Sequence, residues 1–248
     1  MKTNKLVTIT AACIIALCVV CLFFNFIPHS WLRFATSGIF FLFALTIFPP
    51  RNFYGPLFFF LLVVCDLILV FWDYRLIRSA YYLSHIFAVS ILIFLTLREL
   101  KTIRISRVEI LSILLFFGIN TIILLILGES FNLYMEGNWL RSLFYINGFL
   151  ILILVLAAFL YSIRFANDVS AFLFVGVMGI TVADLLLFGI LFLNSEEFKY
   201  VDIIFYSAGL FFLLLSYIEH KRLSMKRKEA KSQFKNDQAT QNPAEVYR

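Results

Sequence analysis

Long apolar runs, each close to twenty positions, recur along almost the whole chain and are separated by short polar breaks. They fall at 6–27, 31–48, 54–73, 76–97, 108–128, 139–162, 168–193 and 199–219. A hydrocarbon core about 30 Å thick is crossed by about 20 apolar residues in a helix, so each run predicts one transmembrane span. The runs show no alternation of polar and apolar positions, which argues against a barrel. Lipid cannot hydrogen-bond an open sheet edge, so helices remain. The breaks carry helix-ending residues: Pro28, Pro49-Pro50 with Gly55-Pro56, Glu136-Gly137-Asn138, and Asn194 to Glu197. The pattern predicts an all-α, polytopic bundle of eight transmembrane helices over 1–220. The remaining 221–248 is polar and aperiodic and is expected to be a disordered basic tail.

Composition agrees with the pattern. Hydrophobic residues make up 62% of the 248 positions and mean hydropathy is +0.94, which leaves too little polar surface to cover a soluble core. The apolar stretch after Met1 to Lys5 is long for a signal peptide and lacks a small-residue cleavage site before Pro28, so it reads as an uncleaved first span. The net charge of +6 reports topology rather than nucleic-acid binding. With the N-terminus inside, sixteen of the 21 Lys and Arg lie on the inner side, concentrated in 98–107 and 221–235. The five on the outer side are Arg33, Arg75, Arg78, Arg141 and Lys199, of which the last four read as interfacial anchors. The positive-inside rule thus expects both termini in the cytoplasm and an even number of spans. Basic residues from Lys221 to Lys231 would rest on anionic inner-leaflet lipid.

The chain can also be read as two copies of a four-helix unit, giving a 4+4 parallel repeat. Cys65-Asp66-Leu67-Ile68-Leu69 in the third span matches Ala183-Asp184-Leu185-Leu186-Leu187 in the seventh, and each is followed by a span with Tyr and Ser near its start.

Asp66 and Asp184 are the carboxylates placed well inside the spans. A charged Asp at a helix centre costs about 2.5–3.5 kcal/mol on insertion scales, so it faces the bundle interior and has a partner. Both are expected at a similar depth, roughly 10–14 Å below the outer surface at 1.5 Å per residue. Other polar groups reach that level: Arg78, Tyr81, Tyr82 and His85 on one face of the fourth span; Asp202, Tyr206 and Gly209 on the eighth; and Arg141, Tyr145 and Gly148 on the sixth, with Asn147 nearby. Asn120 in the fifth span and Thr181, one turn from Asp184, join them. The inner halves of the spans are almost entirely Leu, Ile, Phe and Val. The pattern therefore predicts a polar cavity in the outer half of the bundle. Asn120, Asn147, Thr181, Ser84 and Ser207 read more readily as ordinary interhelical packing. No Walker loop, nucleophile elbow, zincin motif or Cys/His metal spacing is present, so neither a metal nor a cofactor is expected. The four cysteines all fall inside spans and read as packing residues.

The stretch from Cys65 to Leu69, followed by Tyr81-Tyr82-Leu83-Ser84-His85, resembles the first signature of the YhhN-like (lysoplasmalogenase) membrane family. The stretch from Ala183 to Leu187, followed by Tyr206, resembles the second. The resemblance implies an enzyme of the bacterial inner membrane that hydrolyses the vinyl-ether bond of a lysophospholipid, with membrane lipid as its partner. It implies catalytic roles for Asp66, Asp184, His85 and Tyr206. Vinyl-ether hydrolysis needs one carboxylic acid to protonate the alkene carbon and one carboxylate to steady the oxocarbenium ion and activate water, as in glycosidases. Arg78, Tyr82, Asn120, Arg141, Tyr145 and Asp202 are the expected substrate-binding positions, with Arg78 or Arg141 meeting the lipid phosphate. The residues also fit a proton-coupled small-molecule transporter or a non-enzymatic membrane receptor or signalling module.

Overall fold

The computed structural model describes residues 13, 14, 16–18, 20, 21, 27–47, 53–72, 74–100, 107–130, 137–193 and 195–241. Most of the expected first span, the Pro49-Pro50 and Glu136 breaks, and Lys2, Lys5, Arg51, Lys101 and Arg104 lie outside the described residues. Helical residues within 13–21 mark α1. It is followed by α2 (His29–Ile47), α3 (Tyr54–Leu69), α4 (Arg75–Leu100), α5 (Arg107–Ser130), α6 (Asn138–Phe165), α7 (Asp168–Leu193) and α8 (Phe198–Gln241). Among the described residues, six of these helices are long and apolar enough to cross a membrane, and α3 is a shorter apolar one. The protein is a multi-pass helical membrane bundle.

Six helices close a ring. α2 packs on α3, α3 on α4, α4 on α6, α6 on α7, α7 on α8, and α8 returns to α2. α5 packs on α6 from outside, and α1 lies against α2 and α8 through Ile14 and Cys18 beside Leu32 and Ile203. α5 is the helix most open to lipid, with Leu111, Leu114, Leu115, Ile122 and Ile126 all exposed.

The α7–α8 contact is the closest in the ring because small residues line it. A methyl group on Gly179 would stand 2.8 Å from the Gly209 Cα, and one on Gly176 would stand 2.8 Å from the Leu213 backbone nitrogen. Without a hydrophobic driving force between helices in lipid, such close backbone approach supplies the packing energy. α6 and α7 are joined just as tightly. Ala166 ends α6 in a left-handed conformation (φ 41°) and donates its N–H to the Ser162 carbonyl. Asn167 then caps α7, accepting the Ser170 N–H at 2.9 Å while its own N–H donates to the Ser170 hydroxyl at 3.2 Å. At the start of α6, Gly137 takes a φ of 94°, which only glycine adopts without strain.

The start of α2 lies two residues before the expected span. The Pro28 carbonyl accepts the Trp31 and Leu32 N–H groups, so His29 opens the helix and Arg33 stands in its second turn. At the far end of the bundle, Lys221 donates to the Ile47 carbonyl at 2.8 Å and caps the last turn of α2. α8 continues as helix through the basic segment to Gln241, where the sequence led us to expect no regular structure. That segment is rich in Lys, Arg and Gln, all good helix formers, and it extends a helix already nucleated in the membrane.

Candidate functional site: an arginine among three aspartates

The end of the bundle where α2, α4, α6 and α8 begin holds a buried polar cluster built from all six ring helices. Its centre is Arg33, which is 2% exposed. Each guanidinium nitrogen faces a different carboxylate. Nη1 meets Asp202 of α8 at 2.8 Å, Nε meets Asp66 of α3 at 3.3 Å, and Nη2 meets Asp184 of α7 at 3.6 Å. The guanidinium carbon also lies 3.9 Å from the centre of the Tyr206 ring, a cation–π contact in a dry setting. Arg suits this place because its planar fork presents several fixed donors and is less strongly hydrated than an ammonium group.

Each carboxylate has a second partner. Tyr206 donates its hydroxyl to the other oxygen of Asp66 at 2.5 Å. His29 Nε2 lies 2.5 Å from the other oxygen of Asp202. His85 Nε2 lies 3.2 Å from Asp184 Oδ2. The far side of the His85 ring is fixed by Asn147 of α6, whose carbonyl oxygen lies 2.8 Å from Nδ1, and its face stacks on Tyr81 with centroids 5.8 Å apart. With Asn147 on one ring nitrogen and Asp184 on the other, His85 is held between an amide and a carboxylate, the setting in which an imidazole can pass a proton to a reactant.

Burial differs across the cluster. The side chains of Asp66 and Asp202 are 2% and 0% exposed, whereas Asp184 is 14% exposed, and its Oδ1 has no hydrogen-bond partner despite its approach to Arg33. Asp184 is therefore the least buried of the three, although its Oδ1 is itself covered. One turn before it in α7 lies Thr181, which with Leu185 lines an apolar cleft of about 880 Å³ between α5, α6, α7 and the end of α4. The cleft runs from Asn120 and Thr181 towards Arg164. Along α7 it extends from Leu185 back to Phe174, about 16 Å at 1.5 Å per residue.

The structure thus brings together Asp66, Asp184, His85 and Tyr206 from four different helices. Asp202 joins them as a third carboxylate on Arg33 rather than standing apart as a binding position. The other expected binding residues lie outside this cluster. Arg78 donates to the Trp72 carbonyl at 3.2 Å and lies over the Trp72 ring, while Tyr82 packs edge-on against Trp72 and Phe144. With Tyr81 and Phe192 they form an aromatic roof. Tyr145 fills the space left by Gly128 and seats α5 on α6. Asn120 donates to the Phe116 carbonyl at the rim of the cleft, and Arg141 is half-buried in the first turn of α6. The side chain of Arg75 lies outside the described residues.

Sequence reasoning missed Arg33 and His29. Arg33 was counted only among the outer basic residues, and His29 was given no role. The usable signal was their spacing: four residues apart at the start of one helix, they share a face, and two intramembrane Asp residues still required a cation. Among the described residues, no group of His, Cys, Asp and Glu has the arrangement of a metal site. No protein-family model, curated protein or solved structure matches the chain.

Proposed function

We propose that this protein is a membrane-embedded hydrolase of the lysoplasmalogenase type, acting on a single-chain lipid at Asp184. The observation that carries this reading is the Asp184–His85–Asn147 chain, one helical turn from an apolar cleft whose lining includes Thr181 and Leu185. One leaflet of the hydrocarbon core is about 15 Å deep. The cleft extends a comparable distance, so a lipid tail lying in it would present its first bonds beyond the headgroup near Asp184.

The chemistry follows from the same groups. The Asp184–His85 pair gives its proton to the alkene carbon of the vinyl ether, and the C=C electron pair forms the new C–H bond. The oxocarbenium ion that results is steadied by the Asp184 carboxylate, which carries the pair's negative charge once the proton has left. Water then adds to the cation, its proton returns to the Asp184–His85 pair, and the hemiacetal collapses to an aldehyde and a glycerol hydroxyl. One water is consumed and no net proton, so the site needs no external reductant or acid. General acid–base groups of this kind contribute about 10²–10⁴-fold.

We further read the site as lying on a pseudo-two-fold axis between two four-helix units. A shift of four helices turns α2–α3 into α6–α7, α3–α4 into α7–α8, and α4–α6 into α8–α2, all of which are packed pairs. The pairing of Asp66 in α3 with Tyr206 in α8 is then the counterpart of Asp184 in α7 with His85 in α4. We place both termini in the cytoplasm on the charge split of the sequence.

A second reading draws on the continuous chain from His29 through Asp202, Arg33 and Asp184 to His85, which suits a proton-coupled carrier. Purified protein in detergent, presented with a panel of alkenyl, alkyl and acyl lysolipids, separates the two. Hydrolysis predicts aldehyde release from the alkenyl lipid with no gradient present. Uptake into sealed vesicles without any product would instead favour the carrier.

A further inference from the structure

We infer that Arg33 is a positioning residue that makes the three aspartates unequal: it locks Asp66 and Asp202 and leaves Asp184 as the single carboxylate open to a reactant. The geometry differs in kind for each. Asp202 has both oxygens engaged at short range, by Arg33 Nη1 at 2.8 Å and His29 at 2.5 Å. Asp66 also has both engaged, by Arg33 Nε at 3.3 Å and the Tyr206 hydroxyl at 2.5 Å. Asp184 meets the guanidinium only at 3.6 Å, keeps its buried Oδ1 without a hydrogen bond, shares Oδ2 with His85 at 3.2 Å, and is the most exposed of the three at 14%. A guanidinium has a fixed set of donors. Once Nη1 and Nε are held by two fully buried anions, the plane cannot turn towards the third. Stacking on Tyr206 fixes that plane further. Lysine would not substitute, because a single nitrogen on a flexible stem cannot hold two carboxylates in a defined plane.

This inference concerns the arrangement and is testable without any turnover assay. A hydrophobic carbodiimide, dicyclohexylcarbodiimide, adds a carboxyl O–H across its N=C bond, the carboxyl oxygen going to carbon and the proton to nitrogen. The adduct rearranges to a stable N-acylurea that peptide mass spectrometry locates. In the detergent-solubilised full chain, Asp184 is expected to label roughly tenfold or more faster than Asp66 or Asp202, each of which is held by two charge-assisted bonds. Arg33→Gln is expected to spread labelling to Asp66 and Asp202, and Arg33→Lys not to restore the selectivity. Tyr206→Phe, which removes a hydroxyl and no charge, is expected to raise labelling of Asp66 alone. It keeps the question open to test where the Arg33 variants do not fold. Labelling of all three aspartates at similar rates, absence of label at Asp184, or unchanged selectivity in Tyr206→Phe and Arg33→Gln would overturn the inference. If selectivity is as expected but no lysolipid is cleaved, the hydrolase reading fails and the role of Arg33 stands.

Discussion

Replacing Arg33 with Met keeps the stem volume and removes the charge, and its effect can be worked from the contacts. The side chain is 2% exposed and faces three carboxylates at 2.8, 3.3 and 3.6 Å. Taking one partner out of a buried ion pair costs about 3–5 kcal/mol, because the other charge is left without compensation. Here three carboxylates would be left to share two histidines, so the upper part of that range applies. For a chain of this size about 1 kcal/mol corresponds to 2–4 °C in melting temperature, which gives a drop of roughly 10 °C or more. Thermal unfolding of purified protein in detergent measures it. Adding Asp202→Asn to Arg33→Met removes one of the stranded charges and should recover part of the loss, a coupling of about 0.5–3 kcal/mol in a double-mutant cycle. A melting temperature within a degree or two of the parent, with no coupling to Asp202, would refute the placement of Arg33 among the aspartates.

Three further outcomes follow from the packing and the site. Gly179→Val should destabilise by about 1–3 kcal/mol, the usual cost of overpacking, because the new side chain meets the Gly209 backbone and not a movable side chain; melting temperature reads it, and Gly38→Ala, with nothing within 4 Å, is the matched control. Asn147→Leu leaves the buried His85 Nδ1 without its partner and should lower aldehyde release by about tenfold or more, at a cost of about 1–3 kcal/mol in stability that melting temperature reads. A chain ending at Met225 retains the Lys221 cap on Ile47 but loses the basic segment beyond, and should keep its melting temperature while binding anionic vesicles more weakly.

The helices were legible because lipid imposes a simple rule on length and polarity. The runs at 76–97, 139–162 and 168–193 each fall within one helix, and the axial level of Asp66 and Asp184 followed from counting residues along their spans. What the sequence did not show was partnership. Arg33 meets residues 33, 151 and 169 positions away, and no local pattern encodes which helices of a ring face one another. A positive residue near the end of an apolar run is normally an interfacial anchor, and only the extra half-turn before it, capped by Pro28, carries Arg33 into the bundle. The polar stripes on the fourth and sixth spans show the opposite limit. Arg78, Tyr82 and Tyr145 share faces with site residues, yet their side chains pack on Trp72, Phe144 and α5, because aromatic side chains fill the broad gaps at the end of the bundle. The unequal burial of Asp66 and Asp184, on which their different roles rest, has no trace in two nearly identical local sequences.

The central claim is that the Asp184–His85 proton does the chemistry. The most direct test is the rate of aldehyde release from an alkenyl lysolipid by Asp184→Asn, compared with the parent at matched folding. Asparagine keeps the shape and a contact to His85 but cannot carry the shared proton, so the account predicts a fall of about 10²–10⁴-fold. A variant that releases aldehyde at the parental rate would contradict it.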